Sequence, residues 1–144
     1  MTTFAQARSD AARLFWLAMP IEPLRRKSLY DTGCGGADHV YRIEENRIQA
    51  AAEDRAATAR MAPYSSAARA IESQSDAQKI REMLLSNLRA YGVRHVPVGA
   101  HGMIDQKGLH AVLDAVHSNS FELARATVQA WNLLAPFWTE PTAA

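Results

Sequence analysis

A chain of 144 residues is long enough to bury a shared apolar core without disulfide or metal staples, so one domain over 1–144 is expected. Its 16 basic and 15 acidic residues leave a formal charge of +1, which excludes a strong field of one sign for capturing nucleic acid or anionic lipid. Hydrophobic residues at 48% exclude an intrinsically disordered chain, and the lone Cys34 excludes an internal disulfide, pointing to a reducing, cytoplasmic setting.

Phe4, Ala7, Ala11, Leu14, Phe15 and Ala18 recur at three- and four-residue steps, which predicts a helix over 4–19. Its apolar run, Leu14 to Met19, is far shorter than the roughly 20 residues that cross a bilayer. Asp10 and the Pro20-Ile21-Glu22-Pro23 stretch do not suit a secretory leader, and the prolines stop the helix. A basic connector, Arg25-Arg26-Lys27, and a glycine-rich loop, 31–36, lead into a second helix over 40–62. That helix has a shallow stripe of Val40, Ile43, Ile48, Ala51, Ala52, Arg55 and Ala59 and is expected to end at Pro63.

A short helix then reaches Ile71, and Ser75 with Gln78 forms a capping-box spacing for a helix whose face is Ile80, Leu84, Leu88 and Tyr91, ending at Gly92. One short extended segment near 93–98 is the most strand the chain supports. Asp105 caps the next helix, with Ile104 and Leu109 as its hydrophobic staple, and this helix is expected to reach about His117. Asn119 or Ser120 opens the last, whose face is Phe121, Ala124, Val128, Trp131 and Ala135 up to Pro136, with 136–144 a loosely ordered tail. The fold class is therefore all-α, a single-domain bundle of about five helices.

Four groups of residues carry candidate chemistry. Asp31-Thr32-Gly33-Cys34-Gly35-Gly36-Ala37 resembles the glycine-rich first motif of S-adenosylmethionine-dependent methyltransferases, departing at its last position. That resemblance implies a strand-to-helix turn admitting the cofactor; read from the residues alone, the stretch is a permissive linker. Cys34 near a helix start, with His39 as a base, would suit thiolate chemistry, and an ordinary small side chain is the alternative. His110, Asp114 and His117 follow the i, i+4, i+7 spacing of one helical face, to which His101 or His95 could add a further ligand for a divalent metal. The alternative is a solvated boundary beside the Leu109, Leu113 and Val116 face.

Leu123 to Trp131, with Ala126-Thr127-Val128 and Trp131, resembles the recognition helix of helix-turn-helix DNA-binding proteins. The resemblance implies that Arg125, Thr127 and Gln129 meet phosphates or base edges. It requires a turn at Glu122, whereas a cap at Asn119 runs the helix straight through that residue.

Phe15, Trp16 and Leu17 are consecutive, so a helix cannot turn all three inward, and Phe137-Trp138 follows the last helix. These five residues are the candidate interface, unless the bundle buries them itself. The reading favoured by the sequence is a helical protein-protein interaction or regulatory module acting without turnover, with a protein partner or self-association as a homo-oligomer. Alternatives are a helix-turn-helix-like DNA-binding regulator and a metal-binding or cysteine-dependent small enzyme. No cofactor is expected, a divalent metal being the alternative, and no membrane span is expected.

Overall fold

The computed structural model describes residues 2–21 and 37–138, with the side chains of 37–43 outside that description. The described residues are all-α: five α-helices, short 3₁₀ turns and no strand, residues 93–99 forming an irregular connector. Contacts group the chain into two compact units, Met1–Met19 with Tyr64–Ala144, and Pro20–Pro63.

α1 spans Phe4–Ala18 and is capped by Thr3, whose Oγ1 accepts the Gln6 backbone N–H at 3.1 Å. Its inward face is Ala7, Ala11, Ala12 and Phe15, as the spacing predicts. α2 spans Ala37–Ser73 with Pro63 inside it, so the expected break into two helices does not occur. Proline costs one backbone hydrogen bond and strains one turn. Next to it, Tyr64, Ala67, Ala68 and Ile71 are buried at helical spacing, and their packing offsets that cost. The proline instead coincides with the boundary between the two units.

In the unit Pro20–Pro63, the helical residues bury Ala50 and Ala57, while the expected stripe members Ile48, Ala51, Ala52, Arg55 and Ala59 are exposed. Val40 and Ile43 have side chains outside the description. Where nearly every position is alanine or a charged helix former, periodicity carries little contrast, and the inward face is not readable from it.

The other unit holds the rest. α3 spans Ala77–Ala90; its cap is Asp76, whose Oδ1 accepts the Gln78 N–H at 2.9 Å, one residue beyond the expected Ser75. Ile80, Leu84 and Leu88 have no exposed surface. Gly92, at φ 111°, closes the helix: its N–H meets the Arg89 carbonyl at 3.1 Å and the Val93 N–H meets that of Leu88 at 2.9 Å. α4 spans Gln106–Ala115, capped by Asp105 through the Gly108 N–H at 2.7 Å, and stops two residues before His117.

α5, Phe121–Leu134, is the centre of this unit. It follows a 3₁₀ turn at Ser118–Ser120 and leads into another at Ala135–Phe137. Leu123, Ala124, Ala126, Thr127, Val128, Ala130, Trp131 and Leu134 are all buried, and α1, α3 and α4 each pack on it, α1 most extensively. Alanines at Ala7, Ala11, Ala12, Ala124, Ala126 and Ala130 supply small, rigid surfaces for such packing at little cost in side-chain entropy. Phe121, expected inside, is 43% exposed because it sits on the outward stripe with Arg125, Gln129 and Leu133.

Further contacts secure α1. The Trp16 indole N–H donates to Glu72 Oε1 at 2.9 Å, Arg8 donates to the Gln74 carbonyl at 3.0 Å, and the Phe4 and Phe137 rings lie 5.6 Å apart. Among the described residues no helix is long and apolar enough to cross a membrane.

Glycine to alanine within a helix ordinarily stabilises by about 1 kcal/mol. Gly108 in α4 reverses this: an added Cβ would lie 2.9 Å from Ile104 Cγ2 and 3.1 Å from the Pro97 carbonyl oxygen. Gly108→Ala is expected to lower stability by roughly 1–3 kcal/mol in urea unfolding, and a raised midpoint would contradict this packing.

Candidate functional site

Two neighbouring side chains of α5 organise the connector that follows α3. The Trp131 indole N–H donates to the Gly102 carbonyl at 2.7 Å. Asn132 takes both polar groups of Ile104, accepting its N–H at 2.8 Å through Oδ1 and donating to its carbonyl through Nδ2 at 2.7 Å. Ile104 is buried, and a side-chain amide that mimics a peptide satisfies its backbone where a strand partner otherwise would.

The loop held this way turns sharply. His101 has φ 59° and Gly102 φ 74°, so two successive residues occupy the left-handed region within a 3₁₀ turn at Ala100–Gly102. Histidine carries a Cβ penalty there, whereas Gly102 does not.

Between this loop and the end of α5 lies a pocket of about 530 Å³ lined by Arg81, His101, Gly102, Met103, Trp131, Ala135, Pro136 and Trp138. Trp138 is 7% exposed and packs edge-on against Trp131, with ring centroids 4.5 Å apart. The Arg81 guanidinium carbon lies 5.8 Å from the Trp131 ring centroid, within cation-π range. The Trp138 carbonyl accepts a 3.4 Å hydrogen bond from Gln78, yet its indole Nε1–H is buried with no hydrogen-bond partner. A buried donor left unmatched costs about 1–3 kcal/mol.

The candidates read from sequence fall elsewhere, with two exceptions. His101 lines the pocket, and Trp138 forms part of its wall. His110 is exposed on α4, where its Nε2 lies 3.4 Å from Gln106 Nε2; Asp114 is exposed; His117 has left the helical register, its backbone N–H bonded to the Tyr91 carbonyl at 3.0 Å. Among the described residues no three His, Cys, Asp or Glu side chains are gathered to hold a metal ion. The i, i+7 spacing of His110 and His117 fails because α4 ends at Ala115 and Val116 is extended.

Cys34 lies outside the described residues with most of the glycine-rich stretch, and His39 belongs to the first turn of α2 with its side chain outside the description. The helix-turn-helix reading requires a turn at Glu122, which instead lies in the first turn of α5, 3.7 Å from Arg125. Arg125 and Gln129 are exposed, whereas Thr127 has no exposed surface and donates to the Leu123 carbonyl at 2.6 Å. A helix packed on three neighbours offers a groove only a narrow outward stripe.

Of the proposed interface residues, Phe15 and Trp138 are core, Trp16 and Phe137 are half-buried, and Leu17 is 70% exposed. Sequence reasoning missed Arg81, Met103 and Asn132. No local pattern marks them, since each acts across a distance in the chain. No protein-family model, curated protein or solved structure matches this chain.

Thr127 belongs to a buried polar group with Tyr64 and Tyr91. Burial pushes the Tyr91 phenol above its ordinary 10.0, a Thr127 hydrogen bond works against this, and Tyr64 adds to it; burial and then Glu122 raise Tyr64. Above pH 10 the unfolded chain releases phenolic protons that the folded chain keeps, so stability is undiminished below that pH and falls above it. Urea midpoints compared at about pH 9 and about pH 11 are expected to fall less for Tyr91→Phe than for the native chain. Equal declines would contradict a raised Tyr91.

Proposed function

We propose that this chain is a helical regulatory or interaction module that acts by binding, without turnover, and that the pocket beside Trp131 and Trp138 is its recognition site. The observation that carries this reading is a concavity of about 530 Å³ walled by the Trp131 and Trp138 indoles. That volume is within the usual range of about 300–1,000 Å³ for ligand sites, and a few polar groups in an apolar wall are what such sites use for orientation.

The remaining wall is suited to holding a molecule. Two indoles, the Met103 thioether, Ala135 and Pro136 provide apolar and polarisable contact, and Arg81 and His101 add polar edges. An occupant that binds only the folded chain stabilises it, so binding and stability are coupled. The output passes to a protein partner or a second copy of the chain, and Cys34 as the lone cysteine favours the cytoplasm as the setting.

Met103 is 38% exposed at the pocket, so Met103→Trp fills it without removing a core side chain. Ligand-observed NMR with a fragment set spanning anions, cations and neutral aromatics is expected to give fragments that bind the native chain at least about tenfold more tightly than Met103→Trp. A set in which no fragment distinguishes the two proteins overturns this reading.

A further inference from the structure

We infer that the pocket takes a small, uncharged and predominantly apolar molecule, held by contact with Met103, Pro136 and Trp138 rather than by hydrogen bonds from the wall. This rests on the pocket being a recognition site and adds the chemical class of what enters.

The pairing of the wall's polar groups sets the charge of the ligand. Gly102 donates its N–H to the Gly99 carbonyl at 3.2 Å, and its own carbonyl accepts the Trp131 indole N–H. Met103 donates to the Ala100 carbonyl at 3.2 Å and accepts from the Gly99 N–H at 2.8 Å. At the end of α5 the Ala135 N–H meets the Trp131 carbonyl, the Ala135 carbonyl accepts the Trp138 backbone N–H at 3.0 Å, and the Trp138 carbonyl accepts from Gln78. Pro136 has no N–H to give.

The side chains offer little more. The Trp131 indole nitrogen is committed to Gly102, and that of Trp138 is buried away from any ligand. Arg81 already has partners within the protein, the Trp131 ring among them, and His101 is exposed, where water serves its imidazole. A charged or strongly polar ligand would leave its hydration behind and recover few hydrogen bonds from such a wall. An apolar one gives up nothing of that kind and gains by leaving water.

The same residues supply the apolar contact. Trp131, Ala135 and Trp138 are each at most 7% exposed and form the floor, while Met103, at 38%, and the exposed Pro136 stand at the rim. A methionine adapts its three torsions and its polarisable sulfur to the outline of an occupant. The left-handed turn at His101 and Gly102, fixed to α5 by Trp131, holds this rim in place before any ligand arrives. A pre-formed wall lowers the ordering cost of binding.

The test compares toluene, benzoate and benzylammonium, which share one ring and differ in charge. Each is titrated to millimolar concentration against the full chain labelled with ¹³C at its methionine methyl groups, the Met103 signal being assigned by its loss in Met103→Leu. Met61, which does not line the pocket, serves as the internal control. The expected result is that toluene moves the Met103 methyl, leaves Met61 unmoved and binds at least about tenfold more tightly than either ion. By ligand-observed NMR, Met103→Gln is expected to weaken toluene binding at least about threefold and Met103→Leu to keep it within about twofold.

A smaller margin over either ion, with Met103 moved, overturns the uncharged class while the pocket stands as a recognition site. Toluene binding that leaves the Met103 methyl unmoved also overturns the inference, as does undiminished binding to a folded Met103→Gln chain. If no probe moves Met103, both the inference and the function it rests on are overturned. The comparison of probes on the native chain holds whether or not the Met103 variants fold.

Discussion

The three hydrogen bonds from Trp131 and Asn132 to the backbone of Gly102 and Ile104 are the constraint on which the site depends. An irregular connector that enters a core brings peptide groups which must be paired, and a helical protein has no sheet edge to offer them. α5 solves this with side chains. Asn132 presents the donor and acceptor of a peptide in one amide, and Trp131 provides a further donor from within the core. With Ile104 seated, Asp105 is positioned to cap α4 through Gly108, so the placement of α4 follows from the same contact.

That arrangement explains why the pocket lies where it does. α5 is buried along most of its surface, and its last turn brings Trp131, Ala135 and Trp138 beside the tethered loop. The gap between loop and helix end is walled by groups already committed elsewhere: Trp131 to Gly102, the Trp138 carbonyl to Gln78. The Trp138 N–H is the exception. Among the described residues, its indole nitrogen is buried without a hydrogen-bond partner.

Much of the architecture was legible in the sequence because it rests on local signals. Asp105 is the cap expected of it, Gly92 ends its helix with a left-handed turn, and Ile80, Leu84 and Leu88 form the expected face. Pro63 misled because a local cost was outweighed by packing of the residues after it, which no window of sequence displays. The site was less legible. Arg81, Met103 and Trp131 stand 22 and 28 residues apart in the sequence and carry no shared motif. The histidine spacing was read on a helix that ends too early, and Thr127, which looked like a contact residue, is buried and donates its hydroxyl to the Leu123 carbonyl. Trp138 was singled out for its position beyond the last helix, yet what distinguishes it is an indole donor without a partner, visible only once its surroundings are known.

Native-state hydrogen exchange at the Ile104 amide tests the central constraint most directly. If Asn132 holds that group as described, the amide is expected to exchange only with global unfolding, as slowly as the buried amides of α5 and with the same response to low denaturant. Exchange at the rate of a solvent-exposed loop amide would contradict the account, because the connector would then be free of α5 and the pocket would have no fixed wall.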